Sequence, residues 1–397
     1  MQQAPTYREI STGNSRYRVL LTVLFIVVLA GFAAAHQMDT EGHHITGMTN
    51  QVVWGLPHVF AIFLIIAASG ALNVASISSV FGKQAYKPLA RFSAVLAITL
   101  LIGGLAILML DLGRPDRLIV AMTHYNFKSI FAWNIFLYIG FMVVVAVYLW
   151  LMMERRMQPY SKRAGILAMI WRLILTTGTG SIFGFLVARE AYDTAVLAPM
   201  FVILSFSIGL AVLALLLMLC FRLDGRDIDD ALIGRLGRLL GIFVAAVFYF
   251  VLVYHLTKLY GTQYHGFERF ILLDGGIYSW LFWCGQIGIG TLLPLLLVYR
   301  RRWQGSGKML AVACAAVIAG GFAQLYVIII GGQAFPLDIF PGYIVESSFH
   351  DGMIANYTPS IWELLLGLGG LTAALLGALL VVRVLPILPE TLRTDAS

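Results

Sequence analysis

FSAVLAITLLIGGLAILMLDLGRPDR, Phe92–Arg117, decides the fold. Phe92–Leu110 is an apolar run without a charge. As a helix it is long enough for the hydrocarbon layer, which takes about 20 residues at about 1.5 Å each. The run ends on Asp111, and Gly113, Arg114, Pro115, Asp116 and Arg117 make a tight polar turn. The chain then returns through His124, Tyr125, Asn126 and Trp133 to the next apolar run. Charge at the mouth of a span is costly unless it is paired or faces a cavity, so this mouth is where function is sought first.

Outward from it, the same pattern fills the chain. Of 397 residues, 60% are hydrophobic and 12% charged, against about 25% charged in soluble domains. Apolar runs fall at Val19–Ala35, Leu56–Val80, Phe92–Asp111, Ser129–Met153, Ala164–Val187, Thr194–Phe221, Leu239–Tyr260, Gly276–Tyr299, Met309–Gly331 and Ile361–Val382. The expected class is an all-α integral membrane protein with about ten transmembrane helices. The short alternating segments of a β-barrel are not seen. The chain reads as a single polytopic membrane domain over 1–397. A first helix and outer loop occupy 19–55, and a first four-helix bundle takes 56–163 with 164–187. A second four-helix bundle takes 194–331, and an outer loop, last helix and tail take 332–397. Faint echoes between the halves support that division, such as Pro57 with Pro199 and Ser129–Trp133 with Ser279–Trp283. The basic start and Ala33–Ala35 mimic a signal peptide, but the apolar run is long for one.

With the N-terminus inside, inner segments carry about 20 of the 27 Lys and Arg residues, which predicts both termini in the cytoplasm. The net charge of +7 is then topological, and no nucleic-acid partner is expected. All eight histidines fall at or near the outer ends. A cytochrome with haems at two depths needs axial histidines at both, and the inner half has none. Cys220, Cys284 and Cys314 form no CxxC pair and are too few for an iron–sulfur cluster; they read as buried apolar residues.

His58, Asp111, His124 and Tyr125 suit an apolar ligand with two oxygens that release protons. His58 opens one span and Asp111 closes the next, so the two share a depth. The bland readings are an Asp111 ion pair with Arg114 or Arg117, and an interfacial His58. His43 and His44 read as solvated, Arg172 as snorkelling or paired between helices, and Glu190, Asp193 and Glu363 equally as surface acids or as proton relays. Glycine pairs Gly103–Gly104 and Gly331–Gly332 are the nearest candidates for the broken helices of a secondary transporter.

The stretches TNQVVWGLPHVFAIFLIIAASGALNVAS (Thr49–Ser76), YKPLARF (Tyr86–Phe92), DLGRPDR (Asp111–Arg117), NFKSIFAWN (Asn126–Asn134) and VRVLPILP (Val382–Pro389) resemble the NrfD/polysulfide reductase family of membrane subunits, nearest its DsrP-like branch. The resemblance implies a quinone-reactive subunit of a multi-subunit oxidoreductase in a bacterial cytoplasmic (inner) membrane. It implies menaquinone or ubiquinone as bound substrate, with no haem, iron–sulfur cluster or metal in this chain. It implies electron exchange at the outer face with a ferredoxin-like iron–sulfur subunit. Cytochrome subunits and a second membrane subunit of a Dsr-type complex, linked to sulfur metabolism, are the further partners. His58, Asp111 and Arg114 match its site positions, with Tyr125 and Asn134 as looser matches; Asp111 and His58 are the candidate catalytic groups and Arg114 orients Asp111. The rival readings are a secondary transporter or proton-translocating module, and a passive membrane anchor.

Overall fold

The structure is a computed structural model that describes residues 6–10, 14–300, 302, 304–337 and 352–392. Among these, ten helices are long and apolar enough to span a membrane. They are α1 (Ser15–Glu41), α2 (Leu56–Ser79), α3 (Gln84–Leu110), α4 (Ile130–Met153), α5 (Arg155–Gly184), α6 (Leu197–Asp224), α7 (Asp230–Tyr260), α8 (Ile277–Tyr299), α9 (Gly307–Ala334) and α10 (Ile361–Val384). The chain is a multi-pass, all-α membrane protein.

The helices outrun the apolar runs where local caps extend them. Asn14 accepts the Arg16 N–H and starts α1 ahead of Val19. Asp229 accepts the Ala231 N–H, so α7 begins within the charged segment rather than at Leu239. Outside hydrocarbon, charged residues sit in a helix at little cost, and hydropathy does not see the true end. Two spans also depart from the α-helical period. The chain is π-helical over Leu281–Leu292 in α8 and Val327–Gly331 in α9. Gly103 and Gly104 break nothing: both lie inside α3, against α10 and α2 respectively.

Almost every side chain of α2 is buried. The helix packs against α3, α5, α6, α9 and α10. Its small residues permit this. A side chain on Gly70 would run into the Ser205 carbonyl of α6, and Gly209 of α6 lies against the Gly70 backbone. Such small-residue contacts let helices pack by dispersion where lipid removes the hydrophobic drive. Contacts run α2–α3–α4–α5 and back to α2, and α6–α7–α8–α9 and back to α6, with α10 against α1, α2 and α3.

Arg172, within the membrane on α5, is buried and paired between helices. It donates to Asn73 Oδ1 at 2.7 Å and lies over the Phe206 ring. Of the cysteines, Cys220 and Cys314 are buried, but Cys284 is exposed on the surface of α8.

Described segments from the beginning and the end of the sequence meet on one face. β1 (Tyr7–Arg8) pairs antiparallel with β2 (Leu388–Pro389). Arg226 donates to the carbonyls of Pro389 and Glu9, both at 2.9 Å. Arg91 donates to the carbonyls of Met152 and Pro386 and stacks over Tyr7.

Candidate functional site

The candidate site lies on the opposite face. Gly55 caps α2, Pro57 sits in its first turn without an N–H to waste, and His58 follows. Asp111 is the C-cap residue of α3, its N–H donating to the Ile107 carbonyl at 2.9 Å. The antiparallel packing of α2 on α3 brings them together. His58 Nδ1 stands 3.0 Å from Asp111 Oδ2. That is ion-pair distance, yet the atoms are not aligned as a hydrogen bond. Neither Asp111 oxygen has an aligned partner among the described residues. The Asp111 side chain is 1% exposed and that of His58 25%.

The helix ends give this pair no help. An α-helix carries partial positive charge at its N-terminus and partial negative charge at its C-terminus. A cation on His58 and an anion on Asp111 each sit at the unfavourable end.

His43, read as solvated, is the third member. It lies on the turn after α1, and its Nε2–H donates to the Asp111 carbonyl at 2.9 Å while standing 3.8 Å from Oδ1. Its side chain is 31% exposed, so it faces outward from the buried carboxylate. Trp54 is the fourth: its ring centroid is 6.4 Å from that of His58 and 6.1 Å from that of Phe131, which is exposed. Phe183 and Tyr192 close the other side of the indole.

The remaining expected residues are placed differently. Arg114 does not reach Asp111. It forms a two-bond pair with Asp116, at 3.1 and 3.0 Å, on the exposed turn. A partner two residues along the same turn wins over one at the helix end. Arg114 beside Asp116 holds that carboxyl below the usual carboxylate range. Tyr125 packs in an aromatic group with Phe127 and Phe136. Asn134 is buried and donates to the carbonyls of Ile130 and Gly178, joining α4 to α5. His124 is exposed beside the Thr123 hydroxyl.

Glu363 is no surface acid. It is fully buried and caps α10 in a reciprocal box with Ser360. It also accepts from the Gly47 N–H at 2.8 Å and the Tyr357 hydroxyl at 2.6 Å. Burial and the Glu363 carboxylate hold the Tyr357 phenol far above its ordinary range. The sequence S-x-x-E at Ser360–Glu363 is the signal that identifies it. Within the expected outer loop at 332–359, residues 338–351 lie outside the described residues.

The sequence comparisons meet this geometry. The family profile described as polysulphide reductase, NrfD, matches residues 44–337. The chain belongs to the NrfD family. The match runs from the turn that holds His43 to the end of α9, and so takes in His58, Trp54 and Asp111. Among its relatives is the Hdr-like menaquinol oxidoreductase integral membrane subunit of Archaeoglobus fulgidus, 30% identical over 98% of both chains. The C-subunit of the selenate reductase of Mesobacillus selenatarsenatis is 23% identical, covering 93% of this protein and 94% of that one. The C-chain of the polysulfide reductase of Wolinella succinogenes is 25% identical, covering 72% and 96%. Two of these NrfD relatives are named as subunits of reductases, and the third as an integral membrane subunit of a menaquinol oxidoreductase. Among the described residues no group of three or more His, Cys, Asp or Glu side chains is arranged to hold a metal ion.

Proposed function

We propose that this chain is the quinone-reactive membrane subunit of a multi-subunit oxidoreductase, with its site at His58 and Asp111. The observation that carries this is a buried carboxylate with no aligned hydrogen-bond partner. It lies against a partly exposed imidazole, which in turn lies beside the Trp54 ring, itself next to the exposed Phe131. Quinol oxidation releases two protons and two electrons. Asp111 and His58 accept protons from the two hydroxyls, and the electrons leave to a ferredoxin-like iron–sulfur subunit at the outer face. Reduction of quinone runs the same steps backward.

The menaquinol relative supports the substrate class, and the polysulfide and selenate reductase relatives support a place in a respiratory or sulfur-metabolism complex. The basic inner loops support a bacterial inner membrane orientation with cytoplasmic termini. The proposal includes the division into two four-helix bundles and further cytochrome and membrane subunits.

The test is quinol-driven reduction of the clusters in the purified complex, using a quinol of low enough potential. Wild-type complex reduces them, and Asp111→Asn, still assembled, does not. Normal reduction in Asp111→Asn removes the site from His58 and Asp111. No reduction in either complex favours a passive anchor.

A further inference from the structure

Trp54 lies beside His58, yet the groups that hold it come from the far half of the chain. Gln333, buried at the outer end of α9, accepts the N–H groups of Val53 and Trp54 on Oε1, both at 3.0 Å. Its Nε2 donates to the Trp54 carbonyl at 3.0 Å and to the Ile329 carbonyl at 2.7 Å. The side-chain amide is thus engaged through both its oxygen and its nitrogen. Arg189, on the α5–α6 connection, donates to the carbonyls of Gln333 at 2.9 Å and Gln51 at 2.8 Å. Gln51 in turn donates to the carbonyls of Ala334 and Met353.

The segment so held, Gln51–Trp54, has no helical or strand hydrogen bonding of its own. The Gln51 and Val52 N–H groups donate to the Thr49 hydroxyl, whereas the Val53 and Trp54 N–H groups and the Trp54 carbonyl find their partner in Gln333 and the Gln51 carbonyl finds its in Arg189. The π-helical turn Val327–Gly331 is the anchor at the other end. There the Ile329 carbonyl also accepts the Tyr192 hydroxyl at 2.8 Å, and the Tyr192 ring lies 6.5 Å from that of Trp54. One turn of α9 therefore reaches the indole by two routes, through an amide and through a phenol.

We infer that Gln333 is a positioning residue for the quinone site: it fixes Trp54 as the aromatic wall against which the quinone ring lies next to His58. This rests on the proposed function. An aromatic wall is effective only when its rotamer and backbone are held within a few tenths of an ångström, and supporting hydrogen bonds do that. Gln333 touches neither His58 nor Asp111, so its loss acts on ring binding and leaves proton transfer in place.

The experiment titrates a soluble short-chain naphthoquinol against the purified complex. Gln333→Leu raises KM about tenfold and leaves kcat within about threefold, the pattern of lost ground-state binding. Trp54→Ala gives the same split. Gln333→Leu placed on Trp54→Ala adds nothing further, because both act through one indole. An unchanged KM in Gln333→Leu, or a double variant in which the two factors multiply, overturns the inference. If Gln333→Leu does not accumulate, Arg189→Met is measured instead, and a KM within twofold of wild type overturns it. Asp111→Asn separates the two readings: turnover in that variant sinks the proposed function itself, whatever Gln333→Leu does.

Discussion

Two imidazole–carboxylate pairs lie at the face opposite the β1–β2 pair, and they are built differently. In the first half, His58 and Asp111 are 3.0 Å apart without an aligned hydrogen bond, and the imidazole is a quarter exposed. In the second, His255 Nδ1 and Glu268 Oε2 hydrogen-bond at 2.7 Å, with side chains 14% and 0% exposed. Phe282 and Tyr254 pack edge-on against His255. A pair hydrogen-bonded through one carboxylate oxygen under aromatic cover reads as a structural joint, here between α7 and the short helix His265–Arg269, with Glu268 Oε1 buried and without a hydrogen-bond partner among the described residues. A loosely held pair with one open member keeps capacity for a ligand. Residue type alone does not separate them; alignment and access do.

Substitutions can break the comparison or sharpen it. Asp111→Asn is expected to lower quinol turnover by about 100-fold or more, the scale of a lost general base; a loss under tenfold would place Asp111 with the structural pair. Glu268→Ala is expected to leave turnover within about threefold. It lowers resistance to denaturation in detergent by roughly 3 kcal/mol, since it strands a buried partner. Loss of turnover without loss of stability would show the second pair to be reactive too. His43→Gln should slow turnover by about fivefold through a less firmly held Asp111 backbone, visible in kcat with assembly intact. Arg114→Gln is expected to change neither rate nor melting point, because exposed ion pairs contribute little. A clear fall in turnover would restore Arg114 to the site.

The membrane class and the ten spans were legible because hydrocarbon thickness fixes run length. The His58–Asp111 meeting was legible because one residue opens a span and the other closes the next. His43 and Trp54 were not. Both stand in the α1–α2 connection, whose course is set by contacts with residues far along the chain, such as Gln333 and Glu363. The partner of Arg114 was not legible either, because Asp111 lies three residues before it and Asp116 two after, and only the course of the backbone chooses Asp116. The π-helical stretches left no trace, since a run that is apolar all round shows no period to shift.

The β1–β2 strand pair sets a clock for biosynthesis. Tyr7 pairs with Pro389, and just inside it the Tyr17 hydroxyl donates to the Leu379 carbonyl, 362 residues later. At about 5–20 residues per second, synthesis of the intervening chain takes roughly 20–80 s. Throughout that interval the first strand has no partner, while helix after helix enters the bilayer. A chain interrupted before β2 leaves Tyr7 without its strand partner and Arg226 without the Pro389 carbonyl, while the stacking of Arg91 on Tyr7 and the bond from Arg226 to Glu9 are already available.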